Sequence, residues 1–279
     1  MADSPRTIHQ PIHPSVRAKL DPEYVALHDS IIQYMEPSEA RPWDPASRSA
    51  PNPLAHTTQK LSPVGKQWDE DIGGDIHVRV FVPEGQAPSE EAGWPCLVWL
   101  HGGGWVNDVK CVVVTINYRH APEHVYPAAV DDCLTGLRWL YEPSNASRLG
   151  INTSLVTIGG WSATRHVPWL TPTRMGWYQD LYFSRGDLDK KQWQASPCFA
   201  PRELLAKSPK TWLAVAGVDL LTTEGLAYAE LLKENGVEVE TEVVHQISRK
   251  LVHDACAMLA KGFGTSYDPA AAPILSQDE

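Results

Sequence analysis

The chain has 279 residues, long for one average domain but within reach of a single α/β sheet flanked by helices. With 43% hydrophobic and 21% charged residues its usage is that of an ordinary globular protein, which excludes a disordered, collagen-like or fibrous chain. The formal charge of −10, with Lys and Arg scattered, excludes the basic footprint that draws a protein onto phosphate backbones, so no nucleic acid is expected as partner.

The first ten residues, Met1 to Gln10, are polar, and no run approaches the ~20 apolar residues of a transmembrane segment, so a cytoplasmic protein is expected. Two prolines then punctuate helical spacing: Val16, Leu20, Tyr24, Leu27, Ile31 and Ile32 recur between Pro14 and Met35, and Pro22 after Asp21 marks the start of a second short helix. Residues 37–63 carry six prolines and read as an irregular connector. A division follows into 1–60, cap helices and linker, and 61–279, a shortened catalytic domain. From Gln67 to Val82 the pattern is that of a strand within an antiparallel pair, with Ile76, Val78, Val80 and Val82 on one face. Continuous apolar runs at Cys96–Leu100, Cys111–Ile116, Leu155–Gly159, Trp212–Ala216 and Val237–Val244 predict strands buried on both faces. Helical patterns cover Ala128–Leu140, Thr223–Asn235 and Ser248–Phe263. Strands alternating with helices predict a mostly parallel central sheet with helices on both faces.

The five cysteines are odd in number, widely spaced and mostly within apolar runs, which reads as buried hydrophobes; neither a disulfide framework nor a metal site is expected. Asn145-Ala146-Ser147 and Asn152-Thr153-Ser154 match the glycosylation pattern, and are expected to be silent in a cytoplasmic protein.

Chemistry concentrates at strand ends. His101-Gly102-Gly103-Gly104-Trp105 directly follows the strand ending at Leu100. Three consecutive glycines let the backbone turn sharply and bring bare N–H groups up to a developing oxyanion. Gly160-Trp161-Ser162-Ala163-Thr164 follows the strand ending at Gly159 and matches the G-x-S-x-G elbow except at its last position, where Thr164 stands; that elbow lifts a serine hydroxyl clear of a sheet. A serine nucleophile needs an imidazole to take its proton and an acid to hold that imidazole. Asp219 stands just past the strand Trp212–Ala216, and His245 at the end of the strand Val237–Val244, in the chain order Ser, acid, His. His253 competes with His245 but falls within a helical pattern.

With these residues the chain resembles the hormone-sensitive-lipase-like branch of carboxylesterases, α/β-hydrolase fold 3, over about residues 31–264. The marks are His101 to Trp105, Tyr118-Arg119 with Ala121-Pro122-Glu123, Pro127 to Asp132, Ser162, and Asp219 with Glu224-Gly225. The resemblance implies an α/β-hydrolase fold with a small N-terminal helical cap over an acyl or alcohol pocket. It also implies an oxyanion hole formed by the backbone N–H groups of Gly103, Gly104 and Ala163. The chain is similar to fungal members, some of which act in secondary metabolism.

Three features depart from that pattern. Only ten residues separate Leu100 from Cys111, too few for a parallel crossover with its helix. Pro168 and Pro172 interrupt the helix that should follow Ser162, and Gln246-Ile247 runs almost directly into the last helix. The expectation is a serine carboxylic ester hydrolase acting on small to medium acyl esters through an acyl-enzyme. Ser162, His245 and Asp219 are its triad, a small-molecule ester its partner, and no cofactor is required; a homodimer stays open. The rival is a catalytically impaired ligand-binding protein on the same fold, which the shortened elbow favours.

Overall fold

The computed structural model describes residues 6–48, 64–88, 93–100, 110–160, 170–217, 219–244 and 249–269. Helices α1 (Pro14–Arg17) and α2 (Pro22–Ser30) come first, then strands β1 (Lys66–Asp71), β2 (His77–Val82), β3 (Trp94–Leu100) and β4 (Val112–Asn117). Helices α3 (Ala128–Tyr141) and α4 (Pro143–Leu149) lead into β5 (Ile151–Gly160). After α5 (Pro172–Tyr182), α6 (Asp187–Lys190) and α7 (Arg202–Leu205) come β6 (Thr211–Ala216), α8 (Thr222–Glu234), β7 (Val239–Val244) and α9 (Arg249–Phe263). Two compact units result: Met1–Thr57 with Thr164–Asp180 and Gly186–Ser248, and Thr58–Ala163 with Leu181–Arg185 and Arg249–Glu279.

The second unit holds a five-stranded mixed sheet of order β1-β2-β4-β3-β5. The stretch expected as one strand over 67–82 is a hairpin: β1 and β2 pair antiparallel across a turn in which Gly73, Gly74 and Asp75 all take positive φ. β2 pairs antiparallel with β4, whereas β3 lies parallel to both β4 and β5. The connection from β3 to β4, residues 101–111, is shorter than the dozen or more that a packed crossover requires.

Alternation along β3 and β4 divides the core. Cys96, Val98, Val112, Val114 and Ile116 pack with Leu140 of α3 and Ala146 and Leu149 of α4. Leu97, Trp99 and Val113 turn to the other side, against Leu259 and Phe263 of α9. Helices therefore cover both faces, and each fully buried Val or Leu contributes about 1.5–3 kcal/mol relative to exposure. Helix α3 comes close to the sheet because Gly136 lacks a side chain: a Cβ there would lie 2.5 Å from Ile116 Cδ1.

The first unit begins with the N-terminal helices, where Ile12, Leu20, Tyr24 and Ile32 form a small core around α2. Asp21 caps α2 by accepting the Glu23 N–H, with Pro22 at the first helical position. Arg174 of α5 is buried, its guanidinium donating to Glu39 Oε2 at 2.7 Å and Gln10 Oε1 at 2.9 Å. The same unit contains β6 and β7, a parallel pair in register from Thr211↔Val239 to Ala216↔Val244. Leu232 of α8 packs with Leu205 and Val237 beside them.

One expectation is corrected. β5, β6 and β7 are not buried on both faces: Ile158 is 54% exposed, Val243 42%, and every residue of β6 is half-buried. Strand burial depends on neighbours, and among the described residues β5 ends its sheet while β6 and β7 pair only with each other. Cys198, also expected among buried cysteines, is exposed, whereas Cys96, Cys111 and Cys256 are buried.

Candidate active site

Of the predicted site positions, Asp219 is described; Gly103, Gly104, Ser162, Ala163 and His245 lie outside the described residues. Asp219 stands three residues beyond the last residue of β6, in a turn that leads into α8. Its backbone N–H donates to the Ala216 carbonyl at 3.0 Å, and its own carbonyl accepts from the Thr222 N–H at 3.2 Å. The carboxylate is divided between two roles. Oδ1 accepts the Leu221 N–H at 2.6 Å, the side-chain turn that Asp commonly makes with the backbone two residues on. Oδ2 is buried and has no hydrogen-bond partner among the described residues. A buried carboxylate oxygen without a donor is costly, so this atom calls for one.

The strand register shows where a donor can originate. Ala216 and Val244 are partners at the carboxyl ends of β6 and β7, and the Gly217 N–H donates to the Val244 carbonyl at 2.8 Å. The next residue in the chain after Val244 is His245. The competing histidine, His253, lies within α9, where its Nδ1 pairs with the Tyr267 hydroxyl.

The structure explains two further marks, one in each unit. Gly225 lets α8 close onto β6, since a Cβ there would sit 2.8 Å from Val215 Cγ1. Arg119, just after β4, grips the buried Asp132 of α3: its backbone N–H donates to Oδ2 at 2.8 Å, and Nε and Nη2 donate to the two carboxylate oxygens at 2.9 and 2.7 Å. Burial pushes the Asp132 carboxyl up, but the hydrogen bonds from Arg119 outweigh it and hold the group below its ordinary range. This pair fastens the chain leaving β4 to α3. The following segment is held by Tyr126, whose N–H donates to the Tyr182 carbonyl at 2.8 Å and whose ring packs edge-on against that of Tyr182.

Two side chains with structural roles were not legible in advance. Thr222, which contacts the Asp219 carbonyl through its hydroxyl at 2.7 Å, carried only the weak signal of an Asp-x-x-Thr spacing before a helix. Arg174 follows Pro172 and carried no signal of burial. Among the described residues no group of three or more His, Cys, Asp or Glu is arranged to hold a metal, and no helix is long and apolar enough to cross a membrane.

A family model described as alpha/beta hydrolase fold matches residues 97–164 and 164–253, together more than half of the chain. The chain belongs to the alpha/beta hydrolase fold family. Within it the chain falls in the hormone-sensitive-lipase-like group, among carboxylic ester hydrolases. An AB hydrolase superfamily protein of Schizosaccharomyces pombe is 29% identical to it, over 82% of this chain and 86% of the relative. Esterase LipI of Mycobacterium tuberculosis is 30% identical over 64% of this chain and 71% of the relative. The solved structure of a Pyrobaculum calidifontis esterase superposes with a TM-score of 0.61 at 25% identity, covering 71% of this chain and 86% of that one. The two stretches matched by the hydrolase family meet at Thr164, the last position of the Gly160–Thr164 motif. The alignment with the yeast hydrolase runs over 301 positions, more than this chain contains, so internal positions of that relative have no counterpart here.

Proposed function

We propose that the chain hydrolyses carboxylic esters through an acyl-enzyme, with Ser162 as nucleophile, His245 as general base and acid, and Asp219 as the carboxylate that orients the imidazole. The observation that carries this reading is the Oδ2 of Asp219 at the end of β6, buried and without a donor among the described residues, one strand from the chain position of His245. Ser162 Oγ attacks the ester carbonyl while His245 takes its proton, and the same proton leaves on the departing alcohol. Water then repeats the sequence and frees the acid. Asp219 Oδ2 accepts the Nδ1–H of His245, which fixes the tautomer and stabilises the imidazolium. The backbone N–H groups of Gly103, Gly104 and Ala163 receive the oxyanion, for which a run of glycines is suited. The engagement of His253 Nδ1 by Tyr267 supports His245 as the base, since that nitrogen is the one the acid must address.

The proposed substrates are small to medium acyl esters, supported by eleven tryptophans in the chain and by a helical cap with its own apolar core. The test is hydrolysis of short-chain p-nitrophenyl esters by the purified protein beside Ser162→Ala. Turnover that vanishes in the variant establishes Ser162 as nucleophile; turnover that persists refutes it. The two-part family match meeting at Thr164 favours a second reading, a ligand-binding protein without turnover, and a folded wild-type protein inert toward every ester would establish that one instead.

A further inference from the structure

The turn that carries Asp219 is tied by a hydroxyl for which the triad has no use. Thr222 opens α8, and its Oγ1 donates at 2.7 Å to the carbonyl of Asp219 while also lying within hydrogen-bond reach of the carbonyl of Ala216, the last residue of β6. A hydroxyl holds one proton, so the two carbonyls share it, and both are drawn to one point. The Ala216 carbonyl also accepts the Asp219 N–H, so Thr222 is joined to both ends of the short segment whose only task is to present the acid. The carboxylate has little freedom left: rotating it would break the 2.6 Å bond from the Leu221 N–H to Oδ1. The cap residue of α8, Leu221, has no side-chain hydrogen bond of its own, and the Thr222 hydroxyl donates to carbonyls before the helix, tying the helix start to the turn.

We infer that Thr222 is a positioning residue, whose hydroxyl locks the Asp219 turn so that Oδ2 rather than Oδ1 is offered to the base. The inference rests on the triad reading above, in which Oδ2 meets His245. It concerns a side chain that touches neither the ester nor the imidazole. Its influence on the reaction passes through the aim of one carboxylate, and a misaimed carboxylate lowers the rate without weakening substrate binding.

The decisive pair is Thr222→Val, which keeps the branched shape and removes the hydroxyl, and Thr222→Ser, which keeps the hydroxyl and removes the methyl. Both are compared with wild type and Asp219→Asn for kcat, KM and the pH profile of kcat/KM on a short-chain p-nitrophenyl ester, below the unfolding transition of each. Thr222→Val is expected to lose roughly tenfold in kcat with KM nearly constant, as a site shifted by a fraction of an ångström does. Its acidic limb should move to lower pH, because the imidazolium loses a well-aimed carboxylate. Thr222→Ser should recover most of the loss. A Thr222→Val protein with wild-type kcat and pH profile, beside an inactive Asp219→Asn, overturns the inference and leaves the triad standing. Equal losses in Val and Ser variants overturn it in favour of methyl packing. Full activity in Asp219→Asn overturns the triad reading itself. A readout independent of turnover is the far-downfield imidazole N–H proton resonance of a His–Asp pair: expected in wild type and Thr222→Ser and lost in Thr222→Val. Its retention in Thr222→Val refutes the positioning role, and its absence from wild type refutes the pairing.

Discussion

Replacing Gly136 by alanine tests how closely α3 is pressed onto the sheet. In an exposed helix this change stabilises by up to about 1 kcal/mol, through helix propensity. Here the added Cβ would meet three atoms of Ile116, at 2.5, 2.9 and 3.3 Å, where carbon atoms pack comfortably at about 3.5–4.0 Å. Ile116 is fully buried in the centre of the β4 core and has nowhere to retreat. Overpacking of this kind costs about 1–3 kcal/mol, so the net expectation is a loss of about 1–2 kcal/mol, or a few degrees in Tm for a chain of this size. The controls are internal: at Gly176 in α5 and Gly262 in α9 an added Cβ would meet nothing within 4 Å among the described residues, so alanine there should stabilise. Gly225→Ala, facing one methyl of Val215 at 2.8 Å, should fall between. Adding Ile116→Val to Gly136→Ala removes the nearest clashing atom and should recover part of the loss, a coupling that independent sites do not show. Circular dichroism melts and urea midpoints read these five variants beside wild type and Ile116→Val alone. A Gly136→Ala protein stabilised to the same extent as Gly262→Ala would refute the close approach.

Further expectations follow from burial and charge. Arg174→Leu strands Glu39 and Gln10 and should cost about 3–5 kcal/mol, whereas Arg174→Leu with Glu39→Leu should restore much of it; urea unfolding of the single and double variants checks this. Asp132 has a folded-state value held below its unfolded one, so its contribution is present above about pH 4 and lost as pH falls further; Asp132→Asn should lower Tm at pH 7 and leave the difference from wild type smaller at pH 3. His28 is buried with neither ring nitrogen hydrogen-bonded among the described residues, and burial holds it below its ordinary value, with Asp29 opposing and Arg17 assisting. Its neutral form is therefore the folded one, so the N-terminal helices should lose stability as pH falls below about 6.5, and His28→Leu should blunt the increase in proteolysis of the first 35 residues between about pH 7.5 and pH 5.5. Thiol titration of the native protein should find Cys198 reactive first and Cys96 and Cys111 inert, because burial pushes both of those thiols up to about 12.

Much of the architecture was legible because it is written locally. Val78 and Val80 alternate with His77 and Arg79, so one face of β2 had to be buried. The glycine run after Leu100 and Ser162, two residues beyond Gly160, each follow an apolar run that the structure contains as a strand, β3 and β5. The apolar spacing of 128–140 marked a helix that the structure contains within a residue at each end, and Pro22 after Asp21 marked the first residue of α2. Asp219 was marked by its position past an apolar run, and the structure contains that run as β6.

What the sequence could not supply were quantities that depend on groups distant in the chain. Burial of β5, β6 and β7 is decided by which strands lie beside them; an apolar run is the same run whether or not a neighbour covers it. Arg174 became a buried charge only because Glu39 and Gln10, more than a hundred residues earlier, supply its acceptors. The partnership of Arg119 with Asp132 needed the end of β4 to lie beside the first turns of α3. The division of labour between the two oxygens of Asp219, one spent on the Leu221 N–H and the other buried without a donor among the described residues, follows from the path of a single turn. Residue type sets which chemistry is available, through local pattern and chain order. Only tertiary structure decides which atom is left free to perform it, because hydrogen bonds are claimed by whichever groups the fold brings within about 3 Å.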